Sequence, residues 1–84
     1  MKPIIFSKHA YRYQGRRGFT TEEVEEAIRL EEWRTADFGR LECRKEFPFN
    51  AEWNGNFYAT KLVRPIFVDE PEEIVVITVY TFYY

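Results

Sequence analysis

EIVVITVYTFYY, residues 73–84, is the most apolar and most β-prone stretch of this 84-residue chain. Val, Ile, Thr, Tyr and Phe fit a pleated, packed surface, so the stretch predicts one long strand. Alternate side chains then point to opposite faces. Val75, Ile77, Val79, Thr81 and Tyr83 share one face; Ile74, Val76, Thr78, Tyr80, Phe82 and Tyr84 share the other. Both faces begin apolar, as in a central strand covered on two sides, and the face of Val75, Ile77 and Val79 is expected to meet the helices. From Thr78 onward one face gains hydroxyls, the pattern of a buried strand emerging into a cleft.

The segments before it supply its neighbours. DEPEE, residues 69–73, is an acidic turn. NFYATKLVRPIFV, residues 56–68, reads as a strand interrupted at Pro65, where a ladder donor is missing and a bend, bulge or edge is implied. Asn54-Gly55 is a strong hairpin signal. In RLECRKEF, residues 40–47, Leu41, Cys43 and Phe47 share a face with Lys45, and Arg40, Glu42, Arg44 and Glu46 form the other. Trp33 anchors the connection before it. Thr20 and Glu23 have the capping-box spacing and Phe19 with Val24 the hydrophobic-staple spacing, so a helix is predicted from Thr21 to about Leu30. Its Val24, Ala27 and Ile28 lie on one side. Ser7 can cap an earlier helix from Lys8 to about Arg16, with Gly18 as a left-handed stop. PIIF, residues 3–6, is a short edge strand. The expected fold class is α+β: two N-terminal helices packed on a three- or four-stranded antiparallel sheet, residues 1–84 forming one domain.

A chain of this length buries only about 60–65% of its unfolded surface, and aromatics at 19% raise the apolar area available. No run approaches a membrane span or a secretory signal, so the expected location is the cytoplasm without a membrane partner. One cysteine, Cys43, excludes an internal disulfide. The net charge of −2 hides strong segregation. Residues 1–20 hold five cations and no acid, whereas residues 21–33 hold six glutamates and one arginine. A chain so divided can present a basic face to phosphate despite an acidic average.

The chain has no phosphate loop, no dinucleotide fingerprint and no histidine pair, so no cofactor and no metal are expected. RNA cleavage by the neighbouring 2′-hydroxyl suits this inventory, because the substrate supplies its own nucleophile. The protein then needs a base, an acid and cations. His9 is of the side-chain type suited to proton transfer near neutrality. Lys45 and Lys61 fall on apolar strand faces, where a lysine either snorkels or points into a cleft. Tyr80 and Thr78 carry hydroxyls on one strand face. His9, Lys45, Lys61 and Tyr80 form the candidate catalytic set, with Arg17, Arg44 and Thr78 for substrate binding.

Lys8-His9-Ala10, Arg17-Gly18, Thr21-Glu22-Glu23-Val24, Ala27-Ile28 and the closing Ile77-Thr78-Val79-Tyr80 resemble, in order and spacing, the small bacterial family known as domain of unknown function 4258. Arg44-Lys45-x-Phe47 and Lys61-x-Val63 extend the resemblance over nearly the whole chain. Many members carry an arginine four residues after the histidine; here Tyr13 stands there, with Arg12 beside it. The family is similar to the RelE/ParE toxins, and the resemblance implies a RelE-like fold, a toxin-type endoribonuclease of a toxin-antitoxin system, and an antitoxin-like protein partner. The alternative is a non-catalytic interaction module that pairs with such a partner, or with itself as a homodimer, through the strand edge at Thr81-Phe82-Tyr83-Tyr84. Convergence of His9, Lys45, Lys61 and Tyr80 on one cleft is the mark of the nuclease; dispersal is the mark of the module.

Overall fold

The computed structural model of the protein describes residues 2–84. In chain order its elements are β1 (Ile4–Phe6), α1 (Lys8–Arg12), α2 (Gln14–Arg17), α3 (Thr21–Leu30), β2 (Arg34–Thr35), a 3-10 turn (Asp37–Gly39), β3 (Leu41–Glu42), β4 (Lys45–Trp53), β5 (Asn56–Asp69) and β6 (Ile74–Tyr83). The strands form one sheet in the order β1-β6-β5-β3-β2, with β4 also paired to β5.

This corrects the expected fold. The sheet has six strands rather than three or four, and it is mixed, because β1 runs parallel to β6. The helical part is three short helices inserted after β1, not two helices leading the chain. PIIF does pair, which puts a strand ahead of every helix. The first predicted helix breaks at Tyr13 (φ −94°, ψ 0°), dividing it into α1 and α2. The RelE-like arrangement implied by the resemblance falls with these differences.

The local signals were sounder. Thr20 accepts from the Glu23 N–H at 3.1 Å and the Glu23 carboxylate accepts from the Thr20 N–H at 2.9 Å, the full capping box. Ser7 caps α1 by accepting from the Ala10 N–H at 3.1 Å. Gly18 ends α2 in the left-handed region at φ 78°. Asn54-Gly55 closes the β4–β5 hairpin with both residues at positive φ, the geometry of a two-residue primed turn.

Besides a register shift in β4 between Pro48 and Ala51, two irregularities near the middle of β5 shape the sheet. Leu41 pairs with Phe67 and Lys45 with Val63 in one register, so Cys43 falls opposite Pro65. The ladder breaks between β3 and β4 where proline has no N–H to give. On the other side of β5, Ile66 pairs with Thr78 but Phe67 with Val76, so Ile77 is an extra residue, a β-bulge. Val75, Ile77 and Val79 were expected to share the helix-facing side. The bulge reverses the phase: Ile74 and Val76 below it and Val79 above it are the buried ones. They pack with Phe6, Ala10, Phe19, Val24, Ala27, Ile28, Cys43, Val63 and Phe67 into one core under the helices. Among the described residues the opposite face of the sheet carries no α-helix.

Candidate functional site

On the open face, β5 and β6 set Leu62 opposite Phe82, Arg64 opposite Tyr80 and Ile66 opposite Thr78. Tyr80, Phe82 and Tyr84 follow one another up β6, 40%, 47% and 57% exposed. Beside this ladder stands the turn between β2 and β3, closed by the Ala36 N–H donating to the Arg40 carbonyl at 2.8 Å. Phe38 occupies it at φ 62°, a left-handed backbone unfavourable for a bulky side chain, and is 90% exposed. Between turn and ladder lies a cleft of about 190 Å³, lined by Ala36, Asp37, Phe38, Arg40, Arg64, Ile66, Thr78 and Tyr80.

Guanidinium groups converge on this cleft. Arg64 donates twice to one oxygen of Glu42, from Nε at 3.1 Å and Nη2 at 2.5 Å, and lies 5.6 Å from the Tyr80 ring centre. Glu42 is itself buried, and its carboxyl is held below the usual range. The Arg64 hydrogen bonds are the main cause, opposed by burial and assisted by the Arg64, Arg44 and Arg34 charges. Arg44 approaches the other Glu42 oxygen at 3.7 Å.

Arg17 arrives from the helical side. Gly18 stops α2 so that Arg17 reaches across the rim of β6, where Nη1 donates to Thr78 Oγ1 at 3.0 Å and to the Val79 carbonyl at 2.8 Å. Its guanidinium lies between the rings of Tyr13, at 4.4 Å, and Tyr80, at 5.0 Å. Thr81 and Tyr83 hydroxyls both donate to the Arg17 carbonyl, at 2.6 and 2.7 Å, fixing the end of α2. Among the described residues Arg17 has no carboxylate within ion-pair range.

Of the residues singled out in the sequence, Arg17, Thr78 and Tyr80 meet at the cleft, and Arg44 touches its border through Glu42. His9 lies apart on α1, exposed, with its ring 4.8 Å from that of Tyr13. Lys45 and Lys61 occupy the other face of the sheet. Lys61 is 6% exposed and donates to the Gly18 carbonyl at 3.0 Å while pairing with Glu23 at 2.9 Å. It ties the end of α2 to the capping box of α3. Lys45 sits between Glu26 at 3.8 Å and Glu31 at 3.7 Å. The four proposed catalytic groups therefore do not share a cleft. Cys43 offers no nucleophile, since burial pushes its thiol up to about 12.

Sequence reasoning passed over Phe38, Arg40 and Arg64. The Phe38-Gly39 turn lay inside a stretch read as a mere connection. Arg64 had a usable signal: on β5 it alternates with Lys61, Val63 and Pro65, which placed it on the uncovered face. No helix of the described residues is long and apolar enough to cross a membrane. In comparison with known proteins, the chain matches no family model, no curated protein and no solved structure.

Proposed function

We propose that the protein binds single-stranded RNA across its open sheet face. One observation carries this reading: Tyr80, at the foot of an exposed aromatic ladder, is flanked by Arg17 and Arg64. Stacked bases gain about 1–3 kcal/mol each on aromatic side chains, and guanidinium groups hold phosphate through paired, charge-assisted hydrogen bonds. Arg17, Arg40, Arg44 and Arg64 outnumber the acids Asp37 and Glu42 around the cleft, while the glutamates of residues 21–33 lie on and after α3. The segregation read from the sequence supports a basic face apart from an acidic one. The choice of RNA over DNA follows the sequence resemblance to the domain of unknown function 4258 family, which is itself similar to the RNase toxins, and not the fold.

Cleavage by 2′-hydroxyl attack needs a base and an acid at one phosphate. With the lysines engaged on the covered face and His9 behind Tyr13, the geometry supports binding more strongly than scission. Strand addition along β6 is also restricted, because the Ser7 hydroxyl occupies the Ile77 carbonyl and Arg17 occupies that of Val79. Self-association is favoured by a different observation, the aliphatic end of the open face around Ile5, whose partner in the ladder is Val75.

The test is fluorescence anisotropy with a 5′-labelled oligouridine, with the same samples run on a denaturing gel to read cleavage. Binding should weaken steeply between roughly 50 and 200 mM salt, as phosphate contacts release counterions. Tyr80→Ala should weaken it by about tenfold, the equivalent of one lost stack. An anisotropy that stays flat at low salt, or binding indifferent to Tyr80, overturns the reading.

A further inference from the structure

Two polar side chains on the rim of the cleft are engaged with no other described residue. Asp37 and Arg40 stand three residues apart on its rim, and among the described residues neither side chain takes part in an ion pair or a hydrogen bond, with each other or with any third group. A free carboxylate so near a free guanidinium would ordinarily close on it. Here the two side chains stay apart at the ends of a two-residue primed turn, with Phe38 and Gly39 left-handed at φ 62° and 72° and the Arg40 N–H donating to the Asp37 carbonyl at 3.3 Å. Phe38 is 90% exposed and lines the cleft together with Tyr80.

From this arrangement we infer that the cleft is a pocket for one guanine base of a bound RNA. The inference rests on the RNA-binding reading above. The argument is one of matching edges. Phe38 and Tyr80 both line the cleft and supply aromatic contact that suits any base. The rim discriminates. A carboxylate accepts two hydrogen bonds and a guanidinium donates two in parallel. Guanine alone presents two adjacent donors, N1–H and N2–H, and two adjacent acceptors, O6 and N7. Adenine offers Asp37 only its N6 amino group and Arg40 only one acceptor beside it. Cytosine gives the carboxylate one amino group, and uracil gives it one imide N–H. Guanine therefore satisfies both rim groups at once, and every other base leaves at least one of their hydrogen bonds unmade. On the floor, Thr78 accepts from Arg17 and keeps its own hydroxyl hydrogen, while Ile66 supplies an apolar base to the pocket.

The experiment measures affinities for four labelled oligouridines that carry U, G, A or C at one central position. The guanine version should bind at least tenfold tighter than the others, the discrimination expected of one good bidentate contact. Asp37→Asn should abolish the preference while oligouridine still binds at least as tightly, because the change removes an acid from the face that meets phosphate. Phe38→Asn should lower the guanine advantage without unfolding the turn, because asparagine tolerates the left-handed backbone. Equal affinity for all four oligonucleotides, or a preference that survives Asp37→Asn, overturns the guanine pocket and leaves RNA binding standing. Failure of all four to bind overturns RNA binding itself.

Discussion

Lys61 and Arg64 are three residues apart on the same strand, and each has a carboxylate partner. Their roles differ because the two faces of the sheet differ. Lys61 lies under the helices, and its contacts with Glu23 and the Gly18 carbonyl join α2 to α3. Arg64 lies on the uncovered face, where Glu42 holds two of its N–H groups and its charge rests beside the Tyr80 ring. A compact ammonium buried among fixed acceptors is an architectural tie. A guanidinium has five donors in a planar fork, so it can be held in place and still receive a ligand. Charge alone does not mark a binding residue; the donors left over after folding do.

The sharpest way to break this contrast is to remove the tie. Lys61→Ala strands the Glu23 carboxylate and the end of α2, and should destabilise the fold by about 3 kcal/mol in chemical denaturation. The folded fraction should bind oligouridine as before. Loss of RNA affinity at unchanged stability would exchange the roles assigned to the two faces.

Gly18→Ala attacks the same junction from the backbone. A Cβ there would lie 2.4 Å from the Tyr83 hydroxyl and 2.7 Å from the Trp53 ring, at a φ of 78°. Steric strain and the left-handed backbone together should remove about 2 kcal/mol. A melting temperature equal to that of the wild type would mean that α2 does not rest on Trp53 and Tyr83, whose rings stack with centres 5.0 Å apart.

On the open face the balance should reverse. Tyr80→Ala should change stability by less than about 1 kcal/mol, as exposed substitutions do, while weakening RNA by roughly tenfold. If denaturation midpoints fall as far as they do for Lys61→Ala, the ladder is structural.

The smallest effect concerns Glu42. Its folded pKa is depressed, so its contribution to stability is present above its unfolded value near 4.5 and disappears as pH falls through the folded value. Wild type and Glu42→Gln should therefore differ most near neutrality and converge under acid. A gap that persists at low pH would show that the Arg64 contact does not depend on the carboxylate charge.

What could be read from the sequence divides by distance along the chain. Thr20, Glu23, Ser7 and Asn54-Gly55 act over two or three residues, and each appears as expected. Lys45 and Lys61 were rightly placed on an apolar face, but the acids that hold them belong to α3 and the segment after it. Those partners are invisible until the sheet and helices meet. The bulge at Ile77 leaves no sequence trace, because residues 74–79 are apolar or β-branched in either phase. The cleft draws on a turn, the end of a helix and two strands. Thr78, Tyr80 and Arg17 could be named, whereas Phe38 gained meaning only from its backbone angle.

The bulge and the proline also have a mechanical consequence. Pro65 faces the gap between β3 and β4 on one side of β5, and the register shift at Ile66–Phe67 lies on the other. The two interruptions form a crease running across the sheet, from the rim beside Arg17 to the break near Cys43. A sheet is stiff where its ladders are continuous and bends where they are not. The cleft residues Arg64, Ile66, Thr78 and Tyr80 straddle the crease. Any change of angle at the crease would move the Phe38 turn relative to the aromatic ladder, so a molecule held between them would strain the sheet as a whole.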